Sequence, residues 1–408
     1  MVGCKACGDG ELKPFLHLGS LPLGNVFLKK EDFQMEERFQ LSIGFCESCT
    51  LVQQMYPPPI SSLIKDYRNY RYVPVGKILE DHYEDLAQRI VKEYTTNDSF
   101  IIDIGSNNGL LLRSIKKYNS TCRILGVEPA IEISERARQN GVPTITEFFS
   151  ADLARQIADS HGYADVITVT QVLQHIPHLK DFLEGVHHLL RAQGVFIVEG
   201  RYIADIIKKY AYDAFYHEML YFFSLQSLIK LLKPFNLIPV KAELTSVYGG
   251  SLRVYVKRTD HARVDSSIFE ILSYETELGL NRYETYSKWA FDVEARAAAL
   301  RSLVFKLKEE GKIIVGYGAP STSCTLLNYC GIGEKHLSYI VDDSPLKQGL
   351  YTPGSHIKIV SPKMLEANRP DYILLLAWRL KDEILPKLKA LRDKGTKVII
   401  PLPELKVI

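Results

Sequence analysis

The stretch FIIDIGSNNGLLLRSIKK, residues 100–117, decides the fold. Its first five residues are a short apolar run suited to a strand buried on both faces. Gly105 to Gly109 make a turn of small residues, and from Leu110 the apolar spacing becomes helical. A glycine-rich turn between strand and helix lets a ligand approach the backbone closely. A dinucleotide fingerprint requires GxGxxG, and here only Gly105 and Gly109 are present. Asp103, at the strand's end, would repel a pyrophosphate and suits a cationic ligand instead. The next strand, RILGVEP, brings Glu128 about 20 residues on, where a carboxylate can bind ribose hydroxyls. Ribose without pyrophosphate, carrying a sulfonium and an amino-acid tail, describes S-adenosylmethionine.

The flanking sequence keeps the alternation. A helix over Ile131 to Gln139 leads to VPTITEFF, then to a helix from Ala151 to Ser160. ADVITVTQVLQHI is a strand running into a loop, Leu179 to Arg191 a helix, and VFIVEG another strand. This pitch implies a parallel sheet with helices on both faces, an α/β Rossmann-like architecture. Ligands gather at the carboxyl ends of such strands. Asp103, Glu128, Gln171 to His175 and Glu199 all fall there.

The 408 residues suit two or three domains. Hydrophobic residues at 46% and charged residues at 24% match a globular chain. The net charge is +2 with both signs interleaved, which disfavours a nucleic-acid partner. No apolar run approaches the roughly 20 residues that cross a bilayer. The opening MVGCKACGDG has no signal-peptide pattern, so a cytoplasmic location is expected. The expected assembly is a monomer or a small homo-oligomer.

Cys4-x2-Cys7 and Cys46-x2-Cys49 offer four thiolates in pairs, the ligand set of a tetrahedral Zn2+. Four thiolates leave no open position for water, so this zinc is structural. Between the pairs, LPLGNVFL and FQLSIGFC read as strands. Cys122, Cys324 and Cys330 sit in apolar stretches and read as ordinary buried thiols.

Several motifs together resemble the sugar C-methyltransferases, enzymes that methylate C-3 of nucleotide-linked 4-keto-6-deoxysugars. They are the CxxC…CxxC segment with Pro22-Leu-Gly-Asn25, the Asp103 to Leu111 loop with Gly126 to Pro129, and a C-terminal GYGAP, Gly316 to Pro320. TLLNYCGI, Thr325 to Ile332, follows the last of these. The resemblance implies cofactor contacts from Asp103, Gly105, Asn107, Gly109, Glu128, Pro129 and Gln171. It implies an enolate route: a base takes the proton next to the ketone, and the enolate carbon accepts the methyl group.

YHEMLYFFS, Tyr216 to Ser224, matches a family run Tyr-His-Glu-His whose second histidine usually serves as the base. Here that position is Met219, and a thioether accepts no proton at neutral pH. Tyr216, His217, Glu218 and His175 are the remaining candidates for proton transfer. In the family a tyrosine of the DYRNYRY stretch reaches the active site, which singles out Tyr72, with Tyr70 beside it. The family's histidine before GGSLR is Tyr248, and the segment after GYGAP is Ser321 to Ser323. Tyr248, Ser251 and Arg253 are candidate substrate contacts. Methylation of an oxygen or nitrogen, and a decayed homologue that only binds nucleotide sugars, are the alternatives.

IIVGYGAPSTS is again a buried strand feeding a glycine-containing turn, the start of a second, smaller doubly wound unit. The resemblance implies that this unit binds the nucleotide of the sugar donor. The helix N-terminus after Pro320 suits a diphosphate, with Ser321, Asn328, Lys347 and His356 as further contacts. The expected boundaries are a zinc module over 1–75, the methyltransferase domain with a substrate lid over 76–310, and the C-terminal domain over 311–408.

Overall fold

The computed structural model describes residues 2–8, 10–70, 76–259 and 263–408. Strands β1 (Leu12–Leu21), β2 (Phe39–Cys46) and β3 (Val52–Gln54) form an antiparallel N-terminal sheet, followed by helix α1 (Ile60–Arg68). LPLGNVFL is not a strand: β1 ends at Leu21, and residues 22–26 form a loop. Pro22 has no N–H to give a ladder, and the N–H groups of Gly24 and Asn25 are spent on the Glu218 carboxylate.

The central sheet begins after helix α2 (Lys77–Tyr94). In chain order come β4 (Phe100–Ile104), α3 (Leu110–Tyr118), β5 (Arg123–Val127), α4 (Ile131–Gln139), β6 (Thr144–Ile145), α5 (Ala151–His161), β7 (Ala164–Thr170), α6 (Leu179–Leu189) and β8 (Leu190–Arg201). Then follow α7 (Ile203–Lys208), β9 (Tyr221–Phe222), α8 (Leu225–Leu232), β10 (Leu237–Thr245) and β11 (Ser251–Arg258). The seven strands lie in the order β10-β11-β8-β7-β4-β5-β6. Those from β6 to β8 are parallel, whereas β11 runs antiparallel to both β8 and β10. The sheet is therefore mixed rather than wholly parallel. The β10–β11 connection is a tight turn closed by Tyr248, Gly249 and Gly250, all at positive φ, and a hairpin this short can only join antiparallel strands.

Period-2 alternation gives the sheet two apolar faces. Ile101, Val166 and Ile197 pack with Leu86 and Ile90 of α2 and Leu112 and Ile115 of α3. Ile102, Ile167 and Phe196 face the opposite way, in the same core as Ile157 of α5 and Phe182 and Val186 of α6. Chain order reverses between β4 and β7, the switch point at which such sheets bind ligands.

Two helices follow β11, α9 (Ser266–Glu277) and α10 (Tyr283–Glu309). The chain turns between them at Gly279, whose φ is 69°. The C-terminal sheet contains β12 (Ile314–Tyr317), β13 (Ile340–Val341), β14 (Ile359–Val360), β15 (Tyr372–Leu375), β16 (Lys397–Ile400) and β17 (Lys406–Val407). Their order is β14-β13-β12-β15-β16-β17, and helix α11 (Thr322–Tyr329) follows β12. Among the described residues no helix is long and apolar enough to cross a membrane.

One connection ties the parts together. Strand β9 leaves the central region and pairs with β3, completing the N-terminal sheet as β1-β2-β3-β9.

Candidate active site

The four N-terminal cysteines converge. Their sulfurs all lie within 4.8 Å of one another, with Cys4–Cys49 at 3.5 Å and Cys7–Cys46 at 3.8 Å. Thiolates about 2.3 Å from a tetrahedral Zn2+ lie about 3.8 Å apart, so this cluster fits the ion without rearrangement. Gln53 Nε2 donates to Cys4 Sγ at 2.9 Å, while its Oε1 accepts from Lys5 N–H at 3.2 Å. Such outer partners orient the ligands.

The cofactor loop leaves β4 at the switch point. Asp103 is buried and accepts a 2.6 Å hydrogen bond from Thr168 on β7. Burial pushes its pKa up to about 7. Gly105 turns at φ 71°, where a Cβ would come within 2.4 Å of Val172 Cγ2. The glycine is thus required both by conformation and by space. Asn107, also at positive φ, donates its N–H to Glu128 Oε2, and Ala130 N–H donates to Glu128 Oε1, both at 2.9 Å. Burial raises the Glu128 carboxyl above its ordinary range, and Pro129 lies half-buried between Glu128 and Ala130. Ser106 Oγ and Asn108 Oδ1 are buried with no hydrogen-bond partner among the described residues. Two carboxylates, a backbone cradle and orphaned polar atoms at the switch point fit a ligand bearing a cation, a ribose and further polar groups.

Gln171, at φ 58°, donates Nε2–H to Ser251 Oγ at 2.9 Å, which places both residues at the carboxyl edge of β7. Arg253 is fully buried, and its Nε is 2.5 Å from Glu199 Oε2. His82 Nε2 lies 2.7 Å from the other Glu199 oxygen. Burial would raise Glu199, but His82 and Arg253 outweigh it and hold the carboxyl below its usual range. Arg253 is thus committed to an internal ion pair.

Tyr216 to Leu220 form an irregular turn between β3, α1 and α11 rather than part of a helix. Its neighbours His217 and Glu218 point to different places. His217 is fully buried, its Nε2 3.0 Å from the carbonyl oxygens of both Leu21 and Phe39, and burial lowers its pKa to about 4. Its ring is packed into the N-terminal module. The Glu218 carboxylate, also fully buried, accepts N–H bonds from Gly24 at 3.1 Å and Asn25 at 2.7 Å. Burial raises its pKa. Its carbonyl accepts from Tyr67 Oη–H at 2.9 Å and is also bonded by His175 Nδ1. Burial depresses His175 to about 4, so at neutral pH the ring is uncharged and donates from Nδ1, leaving Nε2 as its acceptor.

Other groups at this junction were not singled out from sequence. Asp66, one residue before Tyr67, has a buried Oδ2 without a partner among the described residues. Burial and then the nearby Glu218 raise its carboxyl to about 8. Arg201 ends β8, and its guanidinium lies 5.7 Å from the centre of the Tyr216 ring. Tyr248 lies beside Tyr83, which in turn lies beside Thr170 at the end of β7. Position at a strand end could have flagged Arg201, but nothing local flags Asp66 or Tyr83.

On the C-terminal side, Ser321 Oγ–H donates to Asn25 Oδ1, joining the loop after β12 to the residue that holds Glu218. Asn328 faces inward, donating Nδ2–H to Cys324 O at 2.8 Å and Pro353 O at 3.0 Å. Lys347 Nζ donates to Ala319 O at 2.8 Å, in the GYGAP turn. His356 stacks on Phe33 with ring centres 3.9 Å apart and lies 3.2 Å from Glu36. Tyr70 is half-buried just past α1, and Tyr72 lies outside the described residues. The structure thus brings Glu218, His175, Tyr216, Tyr248 and Ser321 to one junction, and turns His217, Arg253 and Asn328 into internal bonds.

Three family models match in succession: a zinc binding domain over residues 4–63, a methyltransferase domain over 76–242, and a C-methyltransferase C-terminal domain over 246–403. The C-methyltransferase NovU of Streptomyces niveus is 33% identical over 413 residues, an alignment covering 99% of this chain and 96% of that protein. A looser likeness is to the magnesium protoporphyrin IX methyltransferase ChlM of Synechocystis PCC 6803, solved with bound SAM. It is 13% identical, with a TM-score of 0.36, and covers 49% of this chain and 98% of that one. The full-length match, the three successive models, the cysteine cluster and the loop after β4 agree: this chain belongs to the C-methyltransferase family that its motifs resemble, a zinc-containing enzyme that uses S-adenosylmethionine.

Proposed function

We propose that the enzyme methylates a carbon, C-3, of a nucleotide-linked 4-keto-6-deoxysugar in branched deoxysugar biosynthesis in the cytoplasm. The observation that supports this most is the junction at Glu218. A buried carboxylate is held by Gly24 and Asn25 of the N-terminal segment, and Asn25 is in turn bonded by Ser321 of the C-terminal unit. Proton abstraction next to a ketone needs a base in a water-poor site, and a desolvated carboxylate is a stronger base than an exposed one.

Bound at the loop after β4, S-adenosylmethionine supplies an electrophilic methyl group on a sulfonium. Asp103 offers charge to the cofactor's cationic part, and Glu128 accepts from its ribose hydroxyls. Glu218 takes the substrate's α-proton in the place where the family's histidine is Met219. Tyr216 and His175, whose Nε2 is unprotonated, orient the sugar. The residues from Ser321 onward, at the start of α11, bind the diphosphate. The units from 1–75, 76–310 and 311–408 then enclose one substrate between them.

Incubation with S-adenosylmethionine and a panel of TDP-, GDP- and CDP-linked 4-keto-6-deoxysugars, followed by mass spectrometry, tests the reading. A product heavier by one methyl on carbon supports it. Methylation of only non-keto acceptors sinks it.

A further inference from the structure

Among the cationic side chains at the junction, Arg201 stands apart. Arg201 Nη1 is buried and makes no hydrogen bond among the described residues. The carboxylate whose charge favours this guanidinium is Asp213, and its oxygens are taken. Both Asp213 oxygens bind Arg379, at 2.7 Å each, and Oδ2 also accepts from Trp378 Nε1 at 2.9 Å. Asp213 is fully buried, so no face of it remains for a second cation. Arg201 Nη1 is therefore a buried donor of a cationic group with no acceptor of its own, which costs about 1–3 kcal/mol unless something compensates. The Tyr216 ring face and, without a hydrogen bond, Asp213 favour its charge, but neither supplies an acceptor to Nη1 among the described residues.

Its location says where the compensating charge comes from. Arg201 is the last residue of β8 and the register partner of Ser251, whose hydroxyl receives Gln171 from the end of β7. Tyr216 precedes the His217–Glu218 pair by one residue, and Tyr248 joins the same cluster through Tyr83 and Thr170. The guanidinium thus sits between the edge that holds the cofactor and the turn that holds Glu218. A resident anion there would leave no need for a second, transient one. The absence of one in a buried site is the arrangement expected of a group aimed at charge that develops only during reaction.

We propose that Arg201 is the oxyanion-binding residue of this enzyme, donating Nη1–H to the acceptor's carbonyl oxygen as its α-carbon is deprotonated. The inference rests on the keto-sugar reading above. The α-C–H bond breaks to the base, its electron pair becomes the new C=C bond, and the C=O π pair moves to the oxygen that Arg201 holds. When that carbon bonds the methyl group, the oxygen's pair re-forms C=O, the C–S pair stays on sulfur, and the base releases its proton to water. The step needs no other reactant. It also explains how a site with methionine in place of a histidine still favours the enolate: the charge is met at oxygen by a permanent cation.

The test separates enolate formation from methyl transfer. The wild type, Arg201→Met and Arg201→Lys are mixed with TDP-4-keto-6-deoxyglucose and S-adenosylhomocysteine in deuterated water, and loss of the α-proton signal is followed by NMR. Arg201→Met should exchange about 100-fold more slowly, the loss typical of one oxyanion donor, with S-adenosylmethionine affinity by calorimetry unchanged. Arg201→Lys should retain part of the rate, and methylguanidinium added to Arg201→Ala should restore exchange, which a purely structural arginine would not show. Exchange by a folded Arg201→Met at the wild-type rate overturns the role of Arg201 while leaving the keto-sugar reading intact. A wild type that neither exchanges nor methylates any keto sugar overturns that reading, and this role with it.

Discussion

Gln54 Nε2 lies 2.7 Å from the carbonyl oxygen of Met219, and the same nitrogen reaches the carbonyls of Tyr216 at 2.9 Å and His217 at 3.0 Å. One buried amide from the zinc-bearing sheet therefore holds the backbone of the turn that carries Glu218. The backbone N–H of Gln54 bonds Leu220 O, continuing the ladder toward β9. The zinc-binding module thereby braces the turn on which Glu218 sits.

Gln54→Leu should leave the His217 and Met219 carbonyls unsatisfied, at a cost of about 1–3 kcal/mol each where no water enters, while Tyr216 O keeps the Met219 N–H. The expected result is a kcat at least about tenfold lower with zinc content unchanged, measured by steady-state assay and metal analysis. An unchanged kcat would show that the turn is held by other means.

Removal of the metal should act through the same route. Stripping zinc, or Cys49→Ser, is expected to abolish methyl transfer while S-adenosylmethionine affinity stays within about threefold, because the cofactor loop belongs to the other sheet. Calorimetry on the metal-free protein checks this, and a parallel loss of cofactor binding would contradict it.

Asp103 carries a definite pH signature. Its carboxyl titrates near about 7 because it is buried, so it is neutral below that pH and charged above it. Affinity for a cationic cofactor should rise as pH passes from 6 to about 8, and Asp103→Asn should flatten that rise. The sign for folding is opposite: the raised pKa favours the protonated, folded form, so the ligand-free protein should lose stability as pH climbs from about 4 through about 7. Thermal melts of the two proteins across that range provide the check.

Glu218→Gln keeps an oxygen to accept one of the N–H groups of Gly24 and Asn25 but removes the base. Methyl transfer should fall by at least about 100-fold, with cofactor affinity intact. In the wild type, kcat/KM should rise with pH and level off above the carboxyl's raised pKa. A profile with no acidic limb would assign the proton to another group.

How much of this was legible in the sequence depends on how local each cause is. The turn from Phe100 to Gly109 could be read because its glycines, its acidic strand end and its helix lie within one short segment. The cysteine cluster could be read because CxxC spacing alone sets the geometry of each pair. His217 could not be placed by spacing. Its partners, the carbonyls of Leu21 and Phe39, lie far back in the chain and carry no side-chain signature. Gln54 was invisible for the same reason, since its role is hydrogen bonds to backbone of another unit, and Asn25 stood out only as part of a motif, without its bonds to Glu218 and Ser321. LPLGNVFL misled because its apolar residues suit a strand, whereas its backbone N–H groups are used by Glu218.

The pairing of β9 with β3 also sets a timetable. During synthesis β1, β2 and β3 leave the ribosome long before Tyr221 and Phe222, by roughly ten to thirty seconds at ordinary elongation rates. For that interval the edge of β3 is open, with unpaired backbone groups that a neighbouring nascent chain could occupy. The protein's yield in a cell should therefore depend on what shields that edge while translation runs its course.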